Sequence, residues 1–450
     1  MIGTGYLGAT HAACLAELGF QVIGVDRDEG KVARLNEGCA PFVEPGLDAL
    51  LERHVRSGRL RFTTAIAEAA ETCDVHFLCV GTPQAADGLR ADLSALMSAV
   101  RDLARHLTRD ALVIGKSTVP VGTADRLGVE IARFAPAGLT TDVAWNPEFL
   151  REGFGVADTL HPDRLVFGVT TAASEVTLRT IYRQAIATGT PVHVTDLETA
   201  ELAKTAANAF LATKISFINA IAEVSERAGA DVVALADILG DDPRIGRRFL
   251  DAGVGFGGGC LPKDLRALSA RSAALGAYSV TGLLREVDDI NLRARSRVAD
   301  LARQLTGGDL EGRSVAVLGA AFKALSDDVR DSPALDVACR LHRQGADVRV
   351  FDPAASLNAR AGAPELTYVA RVESALRDAD LVLHLTDWPE FADIDPRRAA
   401  ALVRRRVLLD GRNRLDADRW TDAGWTVQGI GRPVRRPHSP ALTADAAASY

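Results

Sequence analysis

The chain opens Met1-Ile2-Gly3-Thr4-Gly5-Tyr6-Leu7-Gly8, a G-x-G-x-x-G run. An alanine-rich helical pattern follows from Ala9 to Leu18, and Gly19-Phe20 breaks it. Gln21-Val22-Ile23-Gly24-Val25-Asp26 then reads as a strand ending in an acid. The glycine spacing alone is a weak signal. Loop, helix, strand and terminal acid in register form the dinucleotide fingerprint. The glycines let backbone approach a pyrophosphate, the helix N-terminus receives it, and the acid bonds the adenosine ribose. Gly3, Gly5, Tyr6, Leu7, Gly8 and Asp26 are therefore candidate cofactor contacts. Asp26 favours NAD, since it repels a 2′-phosphate, and Arg27 beside it works against that preference. A first strand ordinarily has about five or six residues before the glycines. Only Met1 and Ile2 precede Gly3, so the expectation is a native start several residues upstream, in a Val/Ile-rich run.

Working outward, strand-like runs recur at Asp74 to Val80, Ala111 to Ile114, Asp142 to Trp145 and Leu165 to Val169, with helical segments between several of them. This alternation predicts a doubly wound α/β domain with a mostly parallel sheet over residues 1–196. Loops after such strands carry ligand contacts. Three stand out: Val80-Gly81-Thr82-Pro83, Ser117-Thr118-Val119-Pro120 and Asn146-Pro147-Glu148-Phe149-Leu150-Arg151-Glu152. From Glu198 to about Ala228 there is neither Pro nor Gly, and Ala, Leu, Ile and Phe recur at helical spacing. One long helix is predicted there, with Lys204 and Asn208 on one face. Another helix is expected from about Leu283 to Leu305, completing a central region over 197–305. Ser314-Val315-Ala316-Val317-Leu318-Gly319 begins a second α/β unit, 306–432, with a helix near Ser332 to Gln344. Its strands are Asp347 to Phe351, Leu381 to Leu385 and Val407 to Leu409. Gly319-Ala320-Ala321-Phe322-Lys323 replaces the glycine fingerprint, so this unit should bind a different nucleotide. Lys323, Arg330 and Arg412 offer charges for phosphates or carboxylates. The Pro-, Arg- and Ala-rich tail, 433–450, reads as disordered.

At 450 residues the chain holds two or three domains. A hydrophobic share of 47% with 25% charged residues reads as globular, and a net charge of −7 argues against nucleic acid or an anionic membrane as partner. No apolar run reaches roughly 18 residues, and no signal peptide is visible. The six cysteines show no C-x-x-C pair and no zinc spacing, so no metal is expected and most should be small buried hydrophobes. The cytoplasm is the default compartment.

Gly255-Phe256-Gly257-Gly258-Gly259-Cys260-Leu261-Pro262-Lys263-Asp264 is a different kind of signal. A glycine-rich loop runs into a cysteine, and Pro262 suits the first turn of the helix that follows. At a helix N-terminus the free N–H groups and dipole favour a thiolate. Asp264 shares the cysteine's helix face.

Taken in order, these motifs resemble the UDP-glucose/GDP-mannose dehydrogenase family over nearly the whole chain, tail excepted. Besides the stretches quoted, the resemblance rests on Glu44-Pro45-Gly46-Leu47, Ala207-Asn208-Ala209-Phe210, Asp327-Asp328-Val329-Arg330 and Asp410-Gly411-Arg412-Asn413. Glu201-Leu202-Ala203-Lys204 to Asn219 and Asp242-Pro243-Arg244-Ile245-Gly246 are most similar to the bacterial UDP-glucose 6-dehydrogenase branch. The resemblance implies two Rossmann-like domains joined by a long central helix. It also implies oxidation of a sugar C6 alcohol to a carboxylate with two NAD⁺, through a Cys260 thiohemiacetal and thioester. Lys204 and Asn208 would stabilise the substrate oxygen, Asp264 would exchange a proton with the alcohol, Glu148 would activate the hydrolytic water and Thr118 would hold it. Lys31, Thr82, Thr118, Glu152, Lys263 and Arg330 would join the glycine loop and Asp26 around NAD. The substrate side would comprise Phe149, Leu150, Glu152, Lys204, Asn208, Arg244, Phe249, Gly255, Phe256, Gly257, Phe322, Lys323 and Arg412, with Arg244 reaching across a homodimer interface. GDP-mannose or a UDP-N-acetylhexosamine are alternative substrates. A two-electron dehydrogenase and a non-catalytic nucleotide-sugar binder are the competing readings.

Overall fold

A computed structural model describes residues 1–437. The chain divides into two compact units: Met1–Thr213 with Gly259–Asp288 and Leu325–Asp327, and Lys214–Gly258 with Asp289–Ala324 and the chain from Asp328 onward.

In the first unit, strand Val22–Val25 pairs in parallel with Leu60–Thr63. Five further strands follow in spatial order: Val75–Leu78, Ala111–Gly115, Thr141–Trp145, Leu165–Gly168 and Val192–Thr195. The sheet is parallel except for one antiparallel pairing, Trp145 with Gly168. Leu60–Thr63 and Val192–Thr195 were not legible as strands, being short and only partly apolar. Met1 to Gly3 fill the central position where a first strand was expected. Ile2 bridges Val25 on one side and Leu78 on the other. Its N–H donates to Phe77 O at 2.8 Å, and its carbonyl accepts from Cys79 N at 2.7 Å. At the level of Ile2 the neighbouring strands are therefore paired.

Helix Tyr6–Glu17 lies on this sheet through its alanines, with Ala9, Ala12, Ala13 and Ala16 fully buried. Small side chains allow the close approach, and Gly8 sets its limit: a Cβ there would lie 1.8 Å from Gly3 O. Of the cysteines, Cys14 and Cys79 alone are fully buried, while Cys39 and Cys260 are exposed. The expectation of mostly buried cysteines is corrected: Cys39, Cys73 and Cys260 lie in a loop or at a helix end, and Cys339 is half-buried within helix Pro333–Arg343.

The long helix runs Leu197–Ala228, 32 residues and about 48 Å at 1.5 Å per residue. Glu201 on its first turns is 1% exposed and accepts from Gly122 N at 2.7 Å and Ala124 N at 2.6 Å, capping helix Thr123–Phe134. Burial raises this carboxyl to about 7, against the pull of those N–H donors. A raised carboxyl contributes stability that is fully present below the ordinary value of 4.5 and lost as pH rises through about 7. Glu201→Gln should flatten that part of the stability curve, by on the order of 3 kcal/mol across the window. Urea melts of both proteins between those pH values check it.

In the second unit, six parallel strands stand in the order Thr367–Tyr368, Asp347–Phe351, Ser314–Leu318, Leu381–His384, Val407–Asp410, Thr426–Gly429. This is the doubly wound order 3-2-1-4-5-6. Ser314–Leu318, buried at every position, is central, as a continuous apolar run requires. Helix Pro333–Arg343 starts after Ser332, whose side chain accepts from Leu335 N. Helix Tyr278–Leu305 begins earlier than expected, running through Gly282. Of the tail expected to be disordered, Arg435 instead pairs with Val427 in an antiparallel bridge. The remainder, 438–450, lies outside the described residues. Among the described residues no helix is long and apolar enough to cross a membrane, and no group of three or more His, Cys, Asp or Glu could hold a metal.

Candidate active site

At the glycine loop, helix Tyr6–Glu17 begins after Gly5 with no side chain capping its N–H groups. A Cβ at Gly5 would meet nothing within 4 Å, whereas one at Gly3 would lie 2.8 Å from Cys79 O. The loop is thus tight underneath and open above its middle glycine, the form a pyrophosphate requires. Asp26 ends its strand and accepts from Thr4 N at 2.9 Å and Lys31 Nζ at 2.9 Å. Burial alone would raise its carboxyl; Lys31 and the N–H groups of Thr4 and Asp28 outweigh it and hold Asp26 below the usual carboxylate range. An ionised Asp26 fits an adenosine ribose and repels a 2′-phosphate. These residues fit NAD. Tyr6 donates to Glu44, which also accepts from Gly153 N at 2.8 Å and Val156 N at 3.3 Å. Glu44 therefore ties the glycine loop to the segment after Glu152. The motif Glu44-Pro45-Gly46-Leu47 was visible in the sequence, but nothing local revealed this long-range role. Ser326 donates to Glu152 at 3.3 Å.

The chemistry-bearing residues of the first unit converge. Lys204 and Asn208 stand one turn apart on the long helix. Lys204 Nζ is 2.9 Å from Glu148 Oε1, with the side chains 7% and 12% exposed. Glu148 Oε2 accepts from Leu150 N at 2.6 Å, so the loop holds its own carboxylate. The Lys204 ammonium lies 5.7 Å from the Phe149 ring centroid, and the Arg164 guanidinium 3.7 Å. Burial would lower the Lys204 ammonium, but the contact with Glu148, with Asp264 nearby, outweighs it and raises it, so Lys204 is charged. Asn208 Nδ2 donates to Asp264 Oδ2 at 2.7 Å, and Lys263 Nζ to Asp264 Oδ1 at 2.7 Å. Asp264 is 1% exposed. Thr82 Oγ1 donates to Thr118 O at 2.7 Å, fixing that loop. A small cavity between the two elements is lined by Thr118, Val119, Lys263, Asp264 and Arg271.

Cys260 occupies the N-cap position of helix Leu261–Ala274 without a side-chain capping bond, and Pro262 is in the first turn as expected. The expected stabilised thiolate is corrected. Crowding by protein atoms pushes the thiol up to about 12; Lys204 pulls it down, and Glu148, Asp264 and Glu152 add to the rise. Cys260 is also within reach of water. Raised above its ordinary value of 9.0, the resting group is a thiol.

In the second unit the loop 255–257 is braced from behind. Gly255 has φ +99°, and a Cβ there would lie 2.4 Å from Asn291 Oδ1. Asn291 accepts from Phe256 N at 2.8 Å and donates to Phe256 O at 3.0 Å. Arg295 adds a bond to Phe256 O at 3.0 Å and pairs with Asp331 at 2.7 Å. Neither Asn291 nor Arg295 was a sequence candidate, because nothing local separates them from other polar residues of a helix. Arg412 donates to the carbonyls of Leu385, Gly255 and Phe322 at 2.7, 3.3 and 3.1 Å, in a bracing position. The Lys323 ammonium is 5.5 Å from the Phe322 ring centroid. Arg330 forks onto Asp328, Phe249 adopts φ +66°, and Arg244 pairs with Asp242 with its side chain 87% exposed. Asp352, at the position matching Asp26, accepts from Ala320 N, Ala321 N, Ala354 N, Ala355 N and Trp388 Nε1. It is 3% exposed. An acid so engaged has no oxygen left for a ribose, in keeping with a different ligand for this unit.

Residues 1–186, 198–293 and 316–417 match, respectively, the NAD binding domain, the central domain and the UDP binding domain of the UDP-glucose/GDP-mannose dehydrogenase family. The chain is 41% identical to UDP-glucose 6-dehydrogenase TuaD of Bacillus subtilis, over 98% of its own length and 94% of the relative's. It is 40% identical to a UDP-glucose 6-dehydrogenase of Pseudomonas aeruginosa, over 99% of both. Among solved structures, a UDP-glucose dehydrogenase from Pyrobaculum islandicum is similar at TM-score 0.88 and 37% identity, covering 96% of this chain and 97% of that one.

Proposed function

The chain belongs to the UDP-glucose/GDP-mannose dehydrogenase family, and we propose that it oxidises the C6 alcohol of UDP-glucose to the carboxylate of UDP-glucuronate. The observation that carries this is the cluster of Lys204, Glu148, Asn208, Asp264 and Lys263 around a cysteine at a helix N-cap position. Relatives named for UDP-glucose, matched over nearly their full length, favour that sugar.

Bound NAD supplies a hydride acceptor for each of two oxidations. In the first, the C6 hydroxyl loses its proton as the hydride leaves, and Asp264 receives it directly or through one water. The Cys260 sulfur then bonds to the aldehyde carbon. Its proton passes to the carbonyl oxygen or to a neighbouring carboxylate, as a resting thiol requires. The oxygen charge that develops lies beside the Lys204 ammonium and the Asn208 amide. The second hydride leaves the thiohemiacetal carbon, the hydroxyl proton departs, and a thioester remains. Water adds to its carbonyl, Glu148 takes the water proton, and the carbon–sulfur bond breaks. Thr118 holds that water. Phe322, Lys323 and the braced loop 255–257 hold the nucleotide sugar, with Arg412 as their brace.

A panel of UDP-glucose, GDP-mannose and UDP-N-acetylhexosamines with NAD⁺ tests the reading. Two NADH per UDP-glucose is the expected count. One NADH would mean a two-electron enzyme, and no turnover with any sugar a binder. Asp26→Ala should weaken NAD⁺ binding by about tenfold, the loss of one or two hydrogen bonds to a charged group. A wild-type preference for NADP⁺, read by titration with both cofactors, would overturn Asp26 as the determinant.

A homodimer is proposed with it. Phe210, Phe217 and Val224, seven residues apart on the long helix, are 66%, 50% and 60% exposed, a stripe suited to a second helix. Arg244, exposed and beyond that helix, would reach the partner's substrate. All six cysteines are free, which suits a reducing cytoplasm.

A further inference from the structure

We propose that Lys116 is a positioning residue for thioester hydrolysis, holding the strand end that carries Glu148; this rests on the chemistry proposed above. Lys116 follows strand Ala111–Gly115 and stands just before Thr118, while Asn146 follows strand Thr141–Trp145 and stands just before Glu148. The Lys116 ammonium donates to Asn146 Oδ1 at 2.8 Å, Tyr182 OH at 3.2 Å and Asn146 O at 3.4 Å. The Tyr182 hydroxyl donates to Asn146 Oδ1 at 2.6 Å and lies 3.3 Å from His11 Nε2. Asn146 Nδ2 donates to Val166 O at 3.0 Å. One buried ammonium thus clamps the ends of the two strands whose loops carry Thr118 and Glu148.

The chemistry of this clamp is unusual for a purely structural one. Lys116 is 6% exposed, and all its hydrogen-bond partners are neutral. A buried cation without a carboxylate in contact opposes folding, and an apolar residue of similar size generally serves stability as well or better. Burial lowers the ammonium to about 8, and the carboxylate acting on it through space is Glu148. Glu148 therefore feels two cations, Lys204 in contact and Lys116 behind it. The space behind Glu148 is also open. His11, Lys116, Asn146, Glu148, Arg164 and Tyr182 line a cavity of about 40 Å³. A polar cavity needs roughly 10–15 Å³ to hold a water, so this one accommodates water next to the base.

During hydrolysis the water oxygen bonds to the acyl carbon, the carbon–sulfur bond breaks, and the water proton goes to Glu148. The Cys260 sulfur leaves with the bonding pair and is reprotonated. A displacement of about 1 Å at the base slows such a step by about 10²-fold. The two hydride transfers do not use Glu148 as base, so loss of the clamp should leave them fast.

The test is Lys116→Met with Tyr182→Phe as the milder variant, in the full chain. Each is mixed with UDP-glucose and NAD⁺, NADH is followed from the first turnover, and the protein is weighed intact. Lys116→Met is expected to keep its melting temperature and to lose about 10²-fold in kcat, with the KM for UDP-glucose falling alongside because the acyl-enzyme accumulates. It should show a burst of two NADH per Cys260 and carry a uronyl adduct on that residue. Tyr182→Phe should show the same adduct at lower occupancy, and it decides the matter if Lys116→Met does not fold. Activity that falls only with the folded fraction, with no burst and no adduct in either variant, would overturn the proposal. A wild-type count of one NADH per sugar would instead overturn the four-electron reading beneath it, and is seen without any variant.

Discussion

Cys260→Ala is expected to abolish acid formation, with net turnover reduced by at least about 10³-fold. The residue stands at the N-cap position of its helix, within the field of Lys204, Glu148 and Asp264, and is exposed. Without the sulfur an aldehyde has no route to a thiohemiacetal, so oxidation should stop after one NADH per sugar. Binding of UDP-glucose and NAD⁺ should persist, since neither depends on the nucleophile. Cys260→Ser should follow a different course. An oxygen ester is hydrolysed more slowly than a thioester, so an adduct visible by intact mass should accumulate on Ser. NADH traces and intact masses of the two variants check both statements. Sustained production of acid by Cys260→Ala would show that the thiol is not the nucleophile.

Lys204→Ala should cost about 10²–10³-fold in kcat, the usual loss when a donor to a developing oxyanion is removed. The pair it forms with Glu148 is almost fully buried. Removing one partner strands the other charge, and such losses run to about 3–5 kcal/mol of stability. The melting temperature should therefore fall together with kcat, while the KM for UDP-glucose changes little. Double substitution with Glu148→Gln separates the two effects. Stability should recover, because no charge is left unpaired, and turnover should not. Recovery of turnover in the double variant would overturn both Lys204 and Glu148 as catalytic residues.

The resting state of Cys260 shows where local reasoning stops. From sequence, a cysteine at a helix N-terminus reads as a thiolate, because the dipole and free N–H groups are local. Glu148 and Glu152 come from one distant loop and Asp264 from the cysteine's own helix, and they add to burial in raising the thiol against the pull of Lys204. Arg412 is similar. Its place in Asp410-Gly411-Arg412-Asn413 suggested a ligand for phosphate or carboxylate, and the fold adds three backbone carbonyls to which its guanidinium donates. Lys116 and Asn291 carried no local signal, and Glu201 stood only as part of Glu201-Leu202-Ala203-Lys204. Only the partner across the fold gives each its meaning.

The amino-acid sequence by itself determined the two α/β units and the order of their main strands. It also determined the helix Leu197–Ala228 and the residue types available for covalent catalysis. These follow from periodicity, glycine spacing and capping, which act over a few residues and are written in consecutive positions. Tertiary structure alone decided which of those residues meet: Lys204 with Glu148, Asn208 with Asp264, Glu44 with Tyr6, Lys116 with Asn146. It also decided that Ile2 bridges the strands on either side of it. The reason is that charge, burial and hydrogen bonding act through space, between residues brought together by sheet order and helix packing.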